Sequence, residues 1–393
     1  MILKKIHIER KNLDQTFKSE KKLIREIYEI IKEYRKGDLV FDGKDMNKVH
    51  IKRWVYQFDK KDRIFMLKMT KMILKRYYIN KSAFRNFFKV TLFEKIESEF
   101  LKEGDNFEDF FQNSYFIRSQ RSKEKSQAAV LKILDELLCK FDSSVHNNNS
   151  NPKYCIYLDD VICSGTSLYK CLRDKKSGWL HQNDFDHILS NKDFMERDNI
   201  HLLIITYCSH LKAENDFKKI KKENPNINFT FICEKNFKID NYTKKSSSML
   251  MCPLPTAIEK NTEKFSEIKK VQNKIEEIVA KNNSRENSHF YRYNIDKPEK
   301  NSFFSENPEN WIKFEKIIAE KSIQLFCEMD SSDEKARPLG YSTKIDKSFG
   351  FGTLFFTWRN VPFNTPMIFW YEKKGTWIPL FKRKYTKHLK PYN

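Results

Sequence analysis

Two adjacent carboxylates, Asp159 and Asp160, close an apolar run from Tyr154 to Leu158, and four residues on the chain reads Ser164, Gly165, Thr166, Ser167. Paired acids at the end of a buried strand can accept hydrogen bonds from the two hydroxyls of a ribose, or hold a hard cation such as Mg²⁺. Gly165 lets the backbone approach a phosphate closely, and the hydroxyls and N–H groups of Ser164, Thr166 and Ser167 can donate to it. The positive end of a helix starting there would favour the dianion. The spacing sets a reader of a sugar diol one loop away from a phosphate cradle. Two neighbouring acids after a buried strand also repel each other, so a cation or hydrogen-bond donors must offset them.

These residues need an α/β frame to hold them. Tyr154 to Leu158, Leu202 to Cys208 and Ile227 to Cys233 are short apolar runs between polar segments, the pattern of buried parallel strands. A helix-length segment begins near Ser167, so strand, helix and strand follow in βαβ order. In such sheets ligands bind beyond the carboxyl ends of the strands, where the two acids fall. Residues 1–140 read as mostly helical. Phe65, Met69, Met72 and Ile73 form one apolar stripe, and Val130, Ile133, Leu134, Leu137 and Leu138 a cleaner one. Two later stripes, Phe265, Ile268, Val271, Ile275, Ile278 and then Trp311, Phe314, Ile318, Leu325, flank a polar stretch from Lys281 to Ser302. The segments Gly352 to Trp358 and Pro366 to Trp370 read as strands, followed by a basic tail.

Composition narrows the function classes. The 393 residues are 39% hydrophobic, enough for a sizeable core, and no apolar run approaches the ~18 residues that cross a bilayer. The N-terminus turns charged at once and lacks a signal-peptide core, so a soluble, cytoplasmic protein is expected. The eight cysteines contain no C-x-x-C and no histidines cluster at ligand spacing, which argues against zinc and against a disulfide scaffold. The net charge of +21 favours a phosphate polymer or nucleotide as partner. No G-x-x-x-x-G-K-[ST] P-loop occurs. Tyr157, Asp159 and Asp160 also fit the Y-x-D-D of reverse transcriptases. That fold requires a further metal-binding Asp and a Gln-Gly-type motif upstream, and here the acids run on into loop and helix.

The stretch from Tyr154 to Ser167 resembles the PRPP-binding motif of phosphoribosyltransferases: apolar strand, two acids, two apolar residues, then a hydroxyl-rich loop. The resemblance implies that Asp159 and Asp160 contact the ribose hydroxyls and that Ser164 to Ser167 hold the 5′-phosphate. Several members carry an acidic general base just before the loop, where this chain has Cys163.

Four blocks extend the likeness to a phosphoribosyltransferase-like family of bacterial conflict systems, PRTase-CE. They are Ile51 to Phe58; Phe116 to Gln120 with Lys125 to Gln127; Tyr157 to Asp160; and Asn360 to Trp370 with Trp377 to Arg383. In the last block Val361 and Met367 depart from the family's usual Thr and Leu. Asn364 and Thr365 are candidate pocket-wall residues, and Arg118, Lys125 and Arg383 candidate phosphate contacts.

The resemblance implies a Rossmann-like parallel-sheet core at residues 111–258, after a helical N-terminal region (1–110). A helical insertion (259–328) would follow, then C-terminal strands (329–393) completing the core. It further implies a toxic anti-phage effector that transfers a glycosyl or phosphoribosyl group with Mg²⁺, and PRPP or a nucleotide as substrate. Some members accompany a retron, so a reverse transcriptase with its DNA–RNA hybrid is an expected partner. The alternatives are a catalytically silent nucleotide or PRPP sensor, or a ribonucleoprotein adaptor.

Overall fold

The computed structural model describes residues 18–118, 126–141, 144–145, 149–163, 165–174, 178–234, 238–239, 265–281, 308–329, 333–342 and 349–383. Most of the polar stretch after Lys281 and the tail after Arg383 lie outside them, as do the side chains of Phe265 and Ile268. The chain forms two compact units, Lys81–Ser248 and a discontinuous one made of Met1–Asn80 with Met249–Asn393.

The first of these units carries the sheet. Helices α4 (Lys81–Phe87), α5 (Phe93–Phe100) and α6 (Phe107–Gln112) lead into β2 (Ser114–Phe116) and α7 (Ser126–Leu138). Then come β3 (Tyr154–Ile162), α8 (Thr166–Arg173), α9 (Asn191–Arg197), β4 (His201–His210), α10 (Leu211–Glu223), β5 (Asn228–Cys233) and β6 (Lys238–Ile239). The order is β2-β3-β4-β5, every pair parallel, and β6 pairs with Ser209 and His210 of β4 beyond the last pairing of β5. The expected parallel α/β core is therefore present.

Burial on both faces explains its continuous apolar runs. Cys155, Tyr157, Leu202, Ile204 and Phe229 join Leu168 and Leu172 of α8 and Ala213 and Ile220 of α10 in one core. Helix α7 packs on β3, and strand alternation gives it the opposite face, that of Ile156 and Leu158. All five of its stripe residues are buried. Gln127 fixes its start, donating to the carbonyls of Ile117 (3.2 Å) and Leu158 (3.1 Å).

The discontinuous unit contains α1 (18–31), α2 (Lys48–Val55), α3 (Arg63–Tyr77), β1 (Tyr78–Ile79), the helices Phe265–Lys281 and Pro308–Cys327, and β7 (Phe356–Thr357). One core runs through all of it, from Ile27, Trp54 and Met66 to Ile275, Phe314, Phe356 and Trp370. Two sequence blocks some three hundred positions apart meet there. Trp54 Nε1 donates to Ile368 O at 3.3 Å, and Gln57 binds both the carbonyl (2.8 Å) and the N–H (2.7 Å) of Ile378. Met72, expected on the apolar stripe of α3, is 40% exposed instead.

The C-terminal segment corrects an expectation. Among the described residues of this segment only Phe356–Thr357 is a strand, and it pairs in parallel with Tyr78–Ile79 in a separate two-stranded sheet rather than with the larger one. Pro366, expected to open a strand, caps a single 3₁₀ turn, Met367–Phe369. A proline offers no ladder N–H, and Gly352 takes a left-handed φ of 65°, so this apolar sequence cannot stay extended. Its residues are buried all the same, which is why hydrophobicity alone reads as strand.

Candidate functional site

Strand β3 delivers its two acids to the carboxyl end of the sheet already buried: Asp159 is 4% and Asp160 1% exposed. Tyr157 and Asp159 share a strand face, and the Tyr157 hydroxyl donates to Asp159 Oδ2 at 3.2 Å. Ser126, the first residue of α7, donates from Oγ to Oδ1 at 3.4 Å, and the backbone N–H of Asp160 donates to the same oxygen at 2.9 Å. Burial pushes the Asp159 carboxyl well above the ordinary carboxylate range, and the adjacent Asp160 pushes it further. The Asp160 N–H and the Tyr157 hydroxyl pull the other way. A carboxylate in this position gains from a ligand that donates hydrogen bonds or brings positive charge.

The turn after β3 begins at Cys163, a buried thiol pushed upward by burial and then by Asp160 and Asp159. Gly165 follows with φ +71°, the left-handed region, and caps α8; its carbonyl accepts from Tyr169 N at 2.8 Å. A Cβ at Gly165 would lie 2.8 Å from Asp216 Oδ2 of α10, a carboxylate end that can swing aside, so it is the left-handed φ that selects glycine. The first N–H groups of an eight-residue helix thus begin at Thr166, six residues after Asp160.

The neighbouring strand ends in the same way. Strand β4 runs apolar to Cys208 and closes on buried Ser209 and His210, with α10 starting at once. Ser209 Oγ donates to Glu214 Oε1 at 3.0 Å. Ser126, Ser209, His210, Glu214 and Asp216 are the site neighbours that reasoning from the sequence missed. The polar end of an apolar strand was a usable signal for Ser209 and His210. Ser126 lies in the block Lys125 to Gln127, but its approach to Asp159 depends on how α7 packs.

The structure thus brings together Asp159, Asp160, Cys163 and Gly165, with the backbone of Thr166 and Ser167 opening α8. Ser164 and Lys125 lie outside the described residues. Arg118 donates from Nη2 to the carbonyl of Val145 at 3.0 Å. Asn364, Thr365 and Arg383 belong to the discontinuous unit. Asn364 Nδ2 donates to Tyr341 O at 2.7 Å, and the Thr365 N–H donates to Pro362 O at 3.0 Å, so both residues build a turn there. The Thr365 hydroxyl is buried with no partner among the described residues. Arg383 donates to Val361 O and stacks 3.6 Å over the Phe363 ring.

Among the described residues no group of three His, Cys, Asp or Glu side chains is placed to hold a metal, and no helix is long and apolar enough to cross a membrane. A pair of carboxylates nevertheless suits Mg²⁺, which is usually held by one or two acids plus the phosphates of a substrate. Asp159 and Asp160 would hold it here.

The PRTase-CE family model matches residues 51–383. The chain belongs to the PRTase-CE family. This is a phosphoribosyltransferase-like family of conflict effectors. Comparisons with curated proteins and with solved structures return no match. The match spans both compact units, so the PRTase-CE region includes the helices and C-terminal turns of the discontinuous unit as well as the parallel sheet.

Proposed function

We propose that the sheet-bearing unit binds a 5-phosphorylated ribose, as PRPP or a nucleotide, and transfers its ribosyl group to a nucleotide or nucleic-acid acceptor, as the toxic effector of an anti-phage system. One observation carries the proposal: two buried acids near the carboxyl end of β3, which runs on to Ile162, are followed through a left-handed Gly165 by the start of α8. Asp159 and Asp160 accept from the ribose 2- and 3-hydroxyls, and the turn with the first N–H groups of α8 receives the 5-phosphate. With PRPP, the bond between the anomeric carbon and diphosphate oxygen breaks, the diphosphate keeps the electron pair, and the acceptor atom bonds to that carbon and sheds its proton. The buried carboxylates favour the positive charge that develops on the ribose. When bound, Mg²⁺ neutralises the leaving diphosphate. As the effector of a retron, the protein would be restrained by a reverse transcriptase with its DNA–RNA hybrid.

The test is D159N/D160N, assayed for ribose-phosphate binding, for pyrophosphate release with candidate acceptors and for toxicity on expression. All three should be lost while the fold, followed by circular dichroism, persists; full activity in this variant would sink the assignment.

A second reading rests on Cys163. A buried thiol pushed upward stays protonated near neutrality and cannot serve as the base that several phosphoribosyltransferases carry at this position. This favours a silent sensor of the same ligand. Saturable PRPP binding without turnover, in the presence of the nucleoprotein partner, would select it.

A further inference from the structure

The discontinuous unit has a second feature, which the twin acids do not involve. A groove of about 550 Å³ runs between α1 and α2, lined by six cations, Lys18, Lys21, Lys22, Arg25, Lys48 and Lys52, and one carboxylate, Glu20. The acids of this region are engaged elsewhere. Glu20 accepts from the Tyr56 hydroxyl at 3.3 Å, Glu26 pairs with Lys71 at 3.1 Å and Glu29 with Lys32 at 2.8 Å. Among the described residues Lys18, Lys22, Arg25, Lys48 and Lys52 make no ion pair. Glu26 and Glu29 are thus paired, and Lys18, Lys22, Arg25, Lys48 and Lys52 are exposed along the groove.

The spacing is regular. Lys18, Lys22 and Arg25 recur at i, i+4 and i+7 on one face of α1, and Lys48 and Lys52 stand one turn apart on α2. Two tyrosines lie beside them, but cations cover their rings. Lys48 sits 5.3 Å over Tyr28, while Lys52 (5.1 Å) and Arg63 (4.4 Å) sit over Tyr56. A base cannot stack on a ring face already held by a cation.

We propose that this groove binds the phosphodiester backbone of a nucleic acid, without reading its bases. The two rows of cations supply counterion-releasing phosphate contacts, and the capped tyrosines hold the lysine heads in place rather than offering a stacking platform. The groove belongs to the discontinuous unit and the twin acids to the sheet-bearing one, so binding should survive D159N/D160N.

The experiment titrates the full chain against labelled mixed-sequence DNA, single-stranded and duplex, across a series of salt concentrations. K48Q/K52Q should weaken binding about tenfold near physiological salt and lower the slope of log affinity against log salt by about 1.4 to 1.8, for two lost contacts. The control K219Q/K222Q removes two exposed lysines of α10 and should leave both quantities close to wild type. Oligo(dT) and oligo(dA) should bind within about threefold of each other, since no base is stacked. Unchanged binding in K48Q/K52Q, an equal loss in the control, strong base preference, loss of binding in D159N/D160N, or capture by anionic lipid vesicles in place of DNA would each overturn the proposal.

Discussion

The Tyr157 hydroxyl donates to Asp159 Oδ2 at 3.2 Å, two residues along one strand and on one face of it. This bond lowers the proton affinity of a carboxyl that burial and Asp160 both raise. The tyrosine therefore holds the acid partly ready for a ligand. In Y157F the carboxyl loses that donor while the ring keeps its packing. Stability at neutral pH should fall by about 1–2 kcal/mol in denaturant titration, and ribose-phosphate affinity should drop with it. Unchanged values for both would mean the bond contributes nothing.

Asp159 also sets a pH dependence with a definite sign. Its folded proton affinity exceeds that of the unfolded chain, so above the ordinary carboxylate pKa of about 3.9 the folded state binds more protons. Its contribution is fully present below that value and is lost as pH rises through the raised folded pKa. Wild-type stability minus that of D159N should decline over this range. A difference that rose with pH would contradict the burial-driven shift.

Gly165 predicts a different outcome. Alanine there must adopt φ near +71° and bring its Cβ to 2.8 Å from Asp216 Oδ2. The left-handed backbone alone costs about 1–2 kcal/mol. G165A should lose at least that in thermal or denaturant unfolding, and D216A added to it should recover only the part due to the contact. Full recovery would show that φ is not the constraint at this turn.

How much of this was legible in the sequence follows from the range of each interaction. Strands β3, β4 and β5 were readable because burial on both faces writes a continuous apolar run, and the twin acids and Gly165 stood out because they break that pattern locally. The partition of the chain was not readable. Trp54 and Gln57 look like members of an isolated helical region, yet their side chains bond to Ile368 and Ile378. Nothing in the period of either segment encodes that pairing. Likewise the buried segment around Pro366 is apolar enough for a strand, and only the missing N–H and the left-handed glycines nearby turn it into irregular chain.

Gln127 tests how the site is positioned. Its amide bridges the carbonyls of Ile117, beyond β2, and Leu158, just before the acids, from the second residue of α7. In Q127L both buried carbonyls lose that donor, at about 1–3 kcal/mol. Ser126 is its chain neighbour and donates to Asp159, so ribose-phosphate binding should weaken beyond what a similar loss of stability elsewhere in the unit causes. Q127E retains one acceptor-only end group and should rescue neither property.

The discontinuous unit carries its own acid sensitivity at His50. Nε2 of this buried ring lies 2.9 Å from Pro379 O and 3.1 Å from Leu380 O, and since both partners only accept, Nε2 carries the proton. Burial lowers the pKa to about 4 against the two carbonyls, which raise it. Between about 6.5 and 4 the unfolded chain binds a proton that the folded one does not, so the stabilisation is present above about 6.5 and is lost as pH falls through the folded value. The loss amounts to about 3 kcal/mol at most. H50Q keeps an N–H donor without a titrating group, and its stability should be flatter than wild type across that window. A parallel decline in both proteins would place the acid sensitivity elsewhere in the unit.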